Sequence, residues 1–132
     1  LVEVTLRDAA DALADAATFQ SEASAALDRG DQDEASAKLG HALSTWQLVG
    51  DVVEKSGLLL GVDPGSIAFD VGGEGRDGKA CIASLQGRLT EVAEALRASD
   101  WAAVSDIIGL DMDEEIAAWQ AFMHAMADRA RA

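Results

Sequence analysis

The chain has no tyrosine, one cysteine and one proline among its 132 residues, and each shortage excludes something. With Cys81 alone, no disulfide can form within the chain. That cysteine and two histidines, His41 and His124, argue against a closed zinc site. Three Trp and three Phe are the only aromatic residues, so packing falls to alanines and a slim helical core with a few large anchors is expected. Basic residues are scarce as well, 10 against 24 acidic ones, which leaves a net charge of −14. A surface this negative repels phosphate backbones and anionic headgroups, arguing against nucleic acid and membranes as partners. It leaves room for a protein partner with a basic binding segment. Long hydrophobic runs are missing too: the longest uncharged stretches, 39–50 and 116–127, are too short to span a bilayer. Glu3, Asp8, Asp11 and Asp15 near the start replace the basic cluster of a secretory signal, so a cytoplasmic location is expected.

What remains is helical periodicity. Hydrophobic residues make up 49% of a chain long enough for one domain with one core. Leu6, Ala9, Leu13, Ala16, Gln20, Ala23 and Leu27 recur at three- and four-residue spacing, predicting a helix over about 5–29 with Thr5 as its cap and Gly30 as its end. Residues 1–6 also alternate as a strand would. Asp31 with Glu34 opens a second helix, 32–60, whose stripe is Leu39, Leu43, Trp46, Gly50, Val53, Gly57 and Leu60. Glycine costs about 1 kcal/mol against alanine inside a helix, so Gly50 and Gly57 call for a close neighbour. Residues 61–78 form a Gly-rich connector in which Ile67, Phe69 and Val71 alternate, a short strand able to pair with residues 1–6. Helices over 79–98, 100–108 and 112–130 follow, with a break near Gly109 and an Asp111 cap.

Ala26-Leu27-Asp28-Arg29-Gly30-Asp31 is echoed 69 residues later by Ala95-Leu96-Arg97-Ala98-Ser99-Asp100. Each copy combines a helix end, a tight turn and a new helix start. Two helical hairpins joined by the connector predict an all-α antiparallel bundle of four to five helices with a minor two-stranded β element.

Candidate chemistry is thin. Gly73-Glu74-Gly75-Arg76-Asp77-Gly78-Lys79 meets the G-x-x-x-x-G-K spacing between a strand and a helix, where backbone N–H groups cradle phosphates. Ala80 stands where Ser or Thr would hold magnesium, and no second strand ends in a metal-holding Asp. A connector is expected, and nucleotide binding is the remotest function. Lys38 and Ala121 occupy the positions three before His41 and His124, where a di-iron bundle needs Glu. Asp28, Asp31 and Asp33, like Asp111, Asp113 and Glu115, lack calcium-loop spacing. No catalytic residue, metal or cofactor is expected, and Cys81 reads as a small core residue. Met112, Met123 and Met126 with Trp119 and Phe122 form a pliable apolar face. It suits the core, a helical ligand or self-association into a homo-oligomer.

The run from Ala95 to Ile108, Ala-Leu-Arg-Ala-Ser-Asp-Trp-Ala-Ala-Val-Ser-Asp-Ile-Ile, with Glu115 and Trp119 beyond it, resembles the C-terminal part of small bacterial helical-bundle proteins. In those proteins an Ala-Leu-x-x-x-Asp-aromatic turn precedes a Leu-Ala-Asp-type helix, and they are similar to flagellin-export chaperones. The resemblance covers the last third to half of the chain, which departs from it at Gly109-Leu110-Asp111. It implies a non-enzymatic protein-interaction module, an adaptor or export chaperone that sequesters a partner helix in an apolar groove of the second and last helices. Trp46, Leu58, Leu59, Phe122 and Met126 are the residues it nominates. Because Leu58, Leu59 and Leu60 are consecutive, they cannot all face one core.

Overall fold

In the computed structural model, which describes residues 1–131, the chain opens with two long helices. Helix α1 runs over Val2–Asp28 and α2 over Gln32–Leu60. On α1, Leu6, Leu13 and Gln20 are buried together with Ala9, Ala16 and Ala23, small residues that let the neighbouring helices approach closely. The helix starts at Val2 rather than near residue 5, and residues 1–6 are not a strand. Val2 and Leu6, one turn apart, both pack on the core; that tertiary burial overrides the local alternation. Thr5 caps nothing, because its hydroxyl donates to the Leu1 carbonyl at 3.0 Å. The first turn is instead tied to the end of the chain: Arg7 pairs with Glu3 at 3.2 Å and Asp128 at 2.9 Å, and Arg131 pairs with Glu3.

The α1–α2 turn and its echo have the same geometry. Gly30 has φ +78° and Ser99 φ +54°. The Asp31 and Asp100 amides each donate back to a carbonyl five residues earlier, Ala26 and Ala95, at 2.9 Å. Both aspartates then cap the next helix, accepting from the Glu34 amide at 3.1 Å and the Ala103 amide at 3.2 Å.

Gly61, with φ +66°, ends α2. A 3₁₀ turn over Pro64–Ser66 leads into an antiparallel hairpin of β1, Ala68–Val71, and β2, Glu74–Asp77, with Val71 opposite Glu74 and Ala68 opposite Asp77. The connector therefore pairs with itself and not with residues 1–6. Gly72 and Gly73, both at positive φ, form a two-residue turn of the twist that hairpins favour, and local closure is cheaper than recruiting a distant segment. Phe69 of β1 stacks on Phe122, centroids 5.5 Å apart.

Asp77 caps α3, Gly78–Arg97, by accepting from the Ala80 amide at 2.8 Å. After the echoed turn come α4, Trp101–Asp106, a π-helical turn over Ile107–Asp111, and α5, Met112–Arg131. The α-helical run is interrupted around Gly109 by this π turn, and Asp111 lies inside the turn instead of capping α5. Gly109 serves contact: a Cβ there would sit 2.8 Å from Ser24 Oγ, so the glycine lets α1 come close.

The helices alternate in direction. α1 packs along α2 and α5, and α3 packs on α5. The result is an all-α up-down-up-down bundle whose fourth seam, between α2 and α3, is left open. No helix among the described residues is long and apolar enough to cross a membrane.

Candidate functional site

The open seam forms an apolar cleft of ≈ 970 Å³, extended by a second depression of ≈ 270 Å³ that shares Trp46 and Leu89 with it. Trp46 from α2 and Trp119 from α5 meet edge to face beneath it, centroids 5.9 Å apart, and both are almost fully buried. Leu43, Gly50, Val53 and Leu58 line the α2 side; Ile82, Leu85, Leu89 and Leu96 line the α3 side. Val62 and Pro64 close one end. The floor is held rigidly by a buried hydrogen bond from Trp46 Nε1 to Gln20 Oε1 at 2.9 Å.

Three of the five nominated residues take other places than the resemblance implies. Trp46 lies on the cleft floor, and Leu58, 78% exposed, stands on its rim. Leu59, 75% exposed, points off the cleft. Phe122 and Met126 are fully buried and unavailable to a partner. Met112, Met123 and Trp119 are buried with them, so the Met and Trp face is spent on this chain's own core and offers nothing to a second copy. The physical reason is α5's place in the bundle. It is packed by α1, by α3 and by β1 through Phe69, which leaves it no free stripe. The second wall of the cleft is α3, and α5 contributes only Trp119.

Sequence periodicity missed the α3 wall because its stripe of Ile82, Leu85, Leu89, Val92 and Leu96 looks the same whether or not a helix covers it. Of the two α2 glycines expected to have a close neighbour, only one has it. Gly57 has the neighbour its cost calls for, since a Cβ would meet Pro64 Cγ at 2.7 Å. Gly50 has nothing within 4 Å and borders the cleft.

Glu115, Cys81, His41 and His124 lie outside the lining of the cleft. Glu115 is buried, accepts from Ser84 Oγ at 2.5 Å and lies 3.8 Å from Arg88 Nε. Burial pushes the neighbouring Cys81 thiol up to about 12, with the Glu115 charge adding to the effect, so it is no nucleophile near neutrality. His41 sits beside Phe19, centroids 5.1 Å apart, and His124 Nδ1 is 2.9 Å from Arg7 Nη1. Residues 73–79 span three elements. They are the hairpin turn, strand β2 and the start of α3, where the Gly78 amide donates to the Ile67 carbonyl at 2.8 Å. A Cβ on Gly78 would lie 1.9 Å from the Pro64 carbonyl oxygen, so this glycine serves packing. No group of three or more potential metal ligands exists among the described residues.

Comparison with known proteins finds no matching family, no matching curated protein and no matching solved structure.

Proposed function

We propose that this protein is a non-enzymatic interaction module, adaptor- or export-chaperone-like, that holds a helical segment of a partner protein in the α2–α3 cleft. The observation carrying this reading is the unfinished bundle. Two antiparallel helices line a gap floored by two tryptophans with half-buried Leu43, Ile82, Leu89 and Leu96 and exposed Leu58, where a closed bundle would interdigitate them. An amphipathic helix laid in the gap supplies the missing ridge, the helix-in-groove mode of recognition. The polar side chains of the larger cavity, Asp51, Glu54, Asp63, Ser66, Lys79 and Gln86, are all exposed around apolar walls, which suits an amphipathic helix, since it satisfies its own backbone.

The test uses a designed 16-residue amphipathic peptide with a leucine face, titrated calorimetrically against the full chain. Binding to the wild type and its loss in Ala83→Trp, which fills the cleft from an exposed position, supports the reading. Equal binding to both proteins refutes it. A wild-type dimer in sedimentation that Ala83→Trp dissolves replaces the foreign helix with a second copy of this chain.

A further inference from the structure

Resting on that reading, we infer that the occupant is a basic amphipathic helix of about four turns, whose cationic edge lies along α2 against Asp51 and Glu54.

The length comes from the cleft. From Leu43 to Leu58 the α2 wall runs about 22 Å at 1.5 Å per residue, which a partner helix of about 15 residues matches. The charge comes from the rim. Four charged side chains line the larger cavity: Asp51, Glu54, Asp63 and Lys79. The last two carry one charge of each sign, so together they add no net charge to the cavity. Both root near Gly65 at the closed end, where a Cβ would lie 3.4 Å from Asp63 Oδ1 and 3.5 Å from Lys79 Cβ. Asp63 also accepts from the Gly65 amide at 3.0 Å.

Asp51 and Glu54 are different. Both are exposed, and neither has an ion-pair or hydrogen-bond partner from a side chain among the described residues. Three residues apart, they stand on one edge of α2 about 4.5 Å from each other along the axis. On the facing α3 wall Lys79 stands at the closed end, and beyond it Ala83, Gln86 and Ala93 carry no charge. The smaller depression at the Leu43–Leu96 end has Gln47 as its single polar side chain. The cleft is therefore apolar along its length and negative on one edge, toward its closed end. An occupant that buries leucines against the floor brings its own edge beside two unpaired carboxylates. Lys or Arg at i and i+3 or i+4 on that edge completes the pairs, and Asp or Glu there is repelled. The charge of −14 on the whole chain speeds the approach of such a helix, and the two carboxylates fix its position.

The experiment compares two peptides of 16 residues with the same leucine face, one carrying lysines and the other glutamates on its polar edge, at low and at high salt. The lysine peptide is expected to bind at least about tenfold tighter at low salt, with the margin shrinking as salt screens the pairs. Neutralising the rim with Asp51→Asn and Glu54→Gln is expected to weaken the lysine peptide about five- to tenfold. Removing the same number of charges with Asp11→Asn and Asp15→Asn, exposed on α1 and outside the cleft, is expected to change binding by less than about twofold. Equal affinity for both peptides, or equal effects of the two neutralised pairs, overturns the inference and leaves the cleft reading intact. If neither peptide binds, both fall.

Discussion

Replacing Gly50 and Gly57 with alanine, one at a time, moves stability in opposite directions. Both residues lie inside α2, and neither has a positive φ, so each substitution gains the same helix propensity, about 1 kcal/mol. What differs is the space above them. At Gly50 an added methyl meets nothing within 4 Å, so the whole gain is kept. At Gly57 it would lie 2.7 Å from Pro64 Cγ, 2.9 Å from Pro64 Cδ and 2.9 Å from the Val62 carbonyl oxygen. Those atoms cannot swing away. Pro64 is a ring, and Val62 is held by its own amide, which donates to the Gly57 carbonyl at 3.0 Å. Overpacking of this kind costs about 1–3 kcal/mol and outweighs the propensity gain. Urea unfolding at constant slope should therefore separate the two variants by about 1–3 kcal/mol, with Gly50→Ala above the wild type and Gly57→Ala at or below it. In a domain of this size each kilocalorie moves the melting temperature by about 4 °C. A Gly50→Ala protein less stable than the wild type would refute the open cleft, because something must then fill the space beside that glycine.

Two further outcomes follow from the local geometry. Ser99 holds φ +54° without the freedom of the Gly30 it echoes, so Ser99→Gly should stabilise the protein by about 1 kcal/mol, read by the same unfolding assay. The Cys81 thiol, raised by burial to about 12, should react with a disulfide reagent at pH 8 far more slowly in the folded than in the urea-unfolded chain. Its raised value also makes stability fall as pH climbs from the ordinary thiol range near 8.5 toward 12, because the unfolded chain loses the proton first. Cys81→Ala should flatten that alkaline loss.

Most of the architecture was legible because it rests on short-range signals. Asp31, and either Ser99 or Asp100, announced helix starts, and Asp31 and Asp100 each accept the amide three residues on. Gly30 and Gly61 announced helix ends, and both sit at left-handed φ. The echo at an offset of 69 marked two turns that share one hydrogen-bond pattern. Errors came where a residue has two uses. Asp111 looked like a cap and lies inside the π turn, and Leu1 to Leu6 alternated like a strand while Val2 and Leu6 were needed by the core.

The site was far less legible. Trp46 and Leu58 do border the cleft, yet Phe122 and Met126 belong to the core and α3 supplies the second wall. A stripe of Ile82, Leu85 and Leu89 states only that a helix has an apolar side. Periodicity, capping and turn chemistry act within a few residues, so the segments that are helical, their ends and their apolar sides can be read locally. Which apolar sides meet cannot. α5 is covered on three sides and α2 is left facing α3 across a gap, because the hairpin and the close alanine contacts of α1 draw the helices toward each other unequally. Whether two stripes touch depends on the summed packing of the whole bundle, and no local pattern carries that sum.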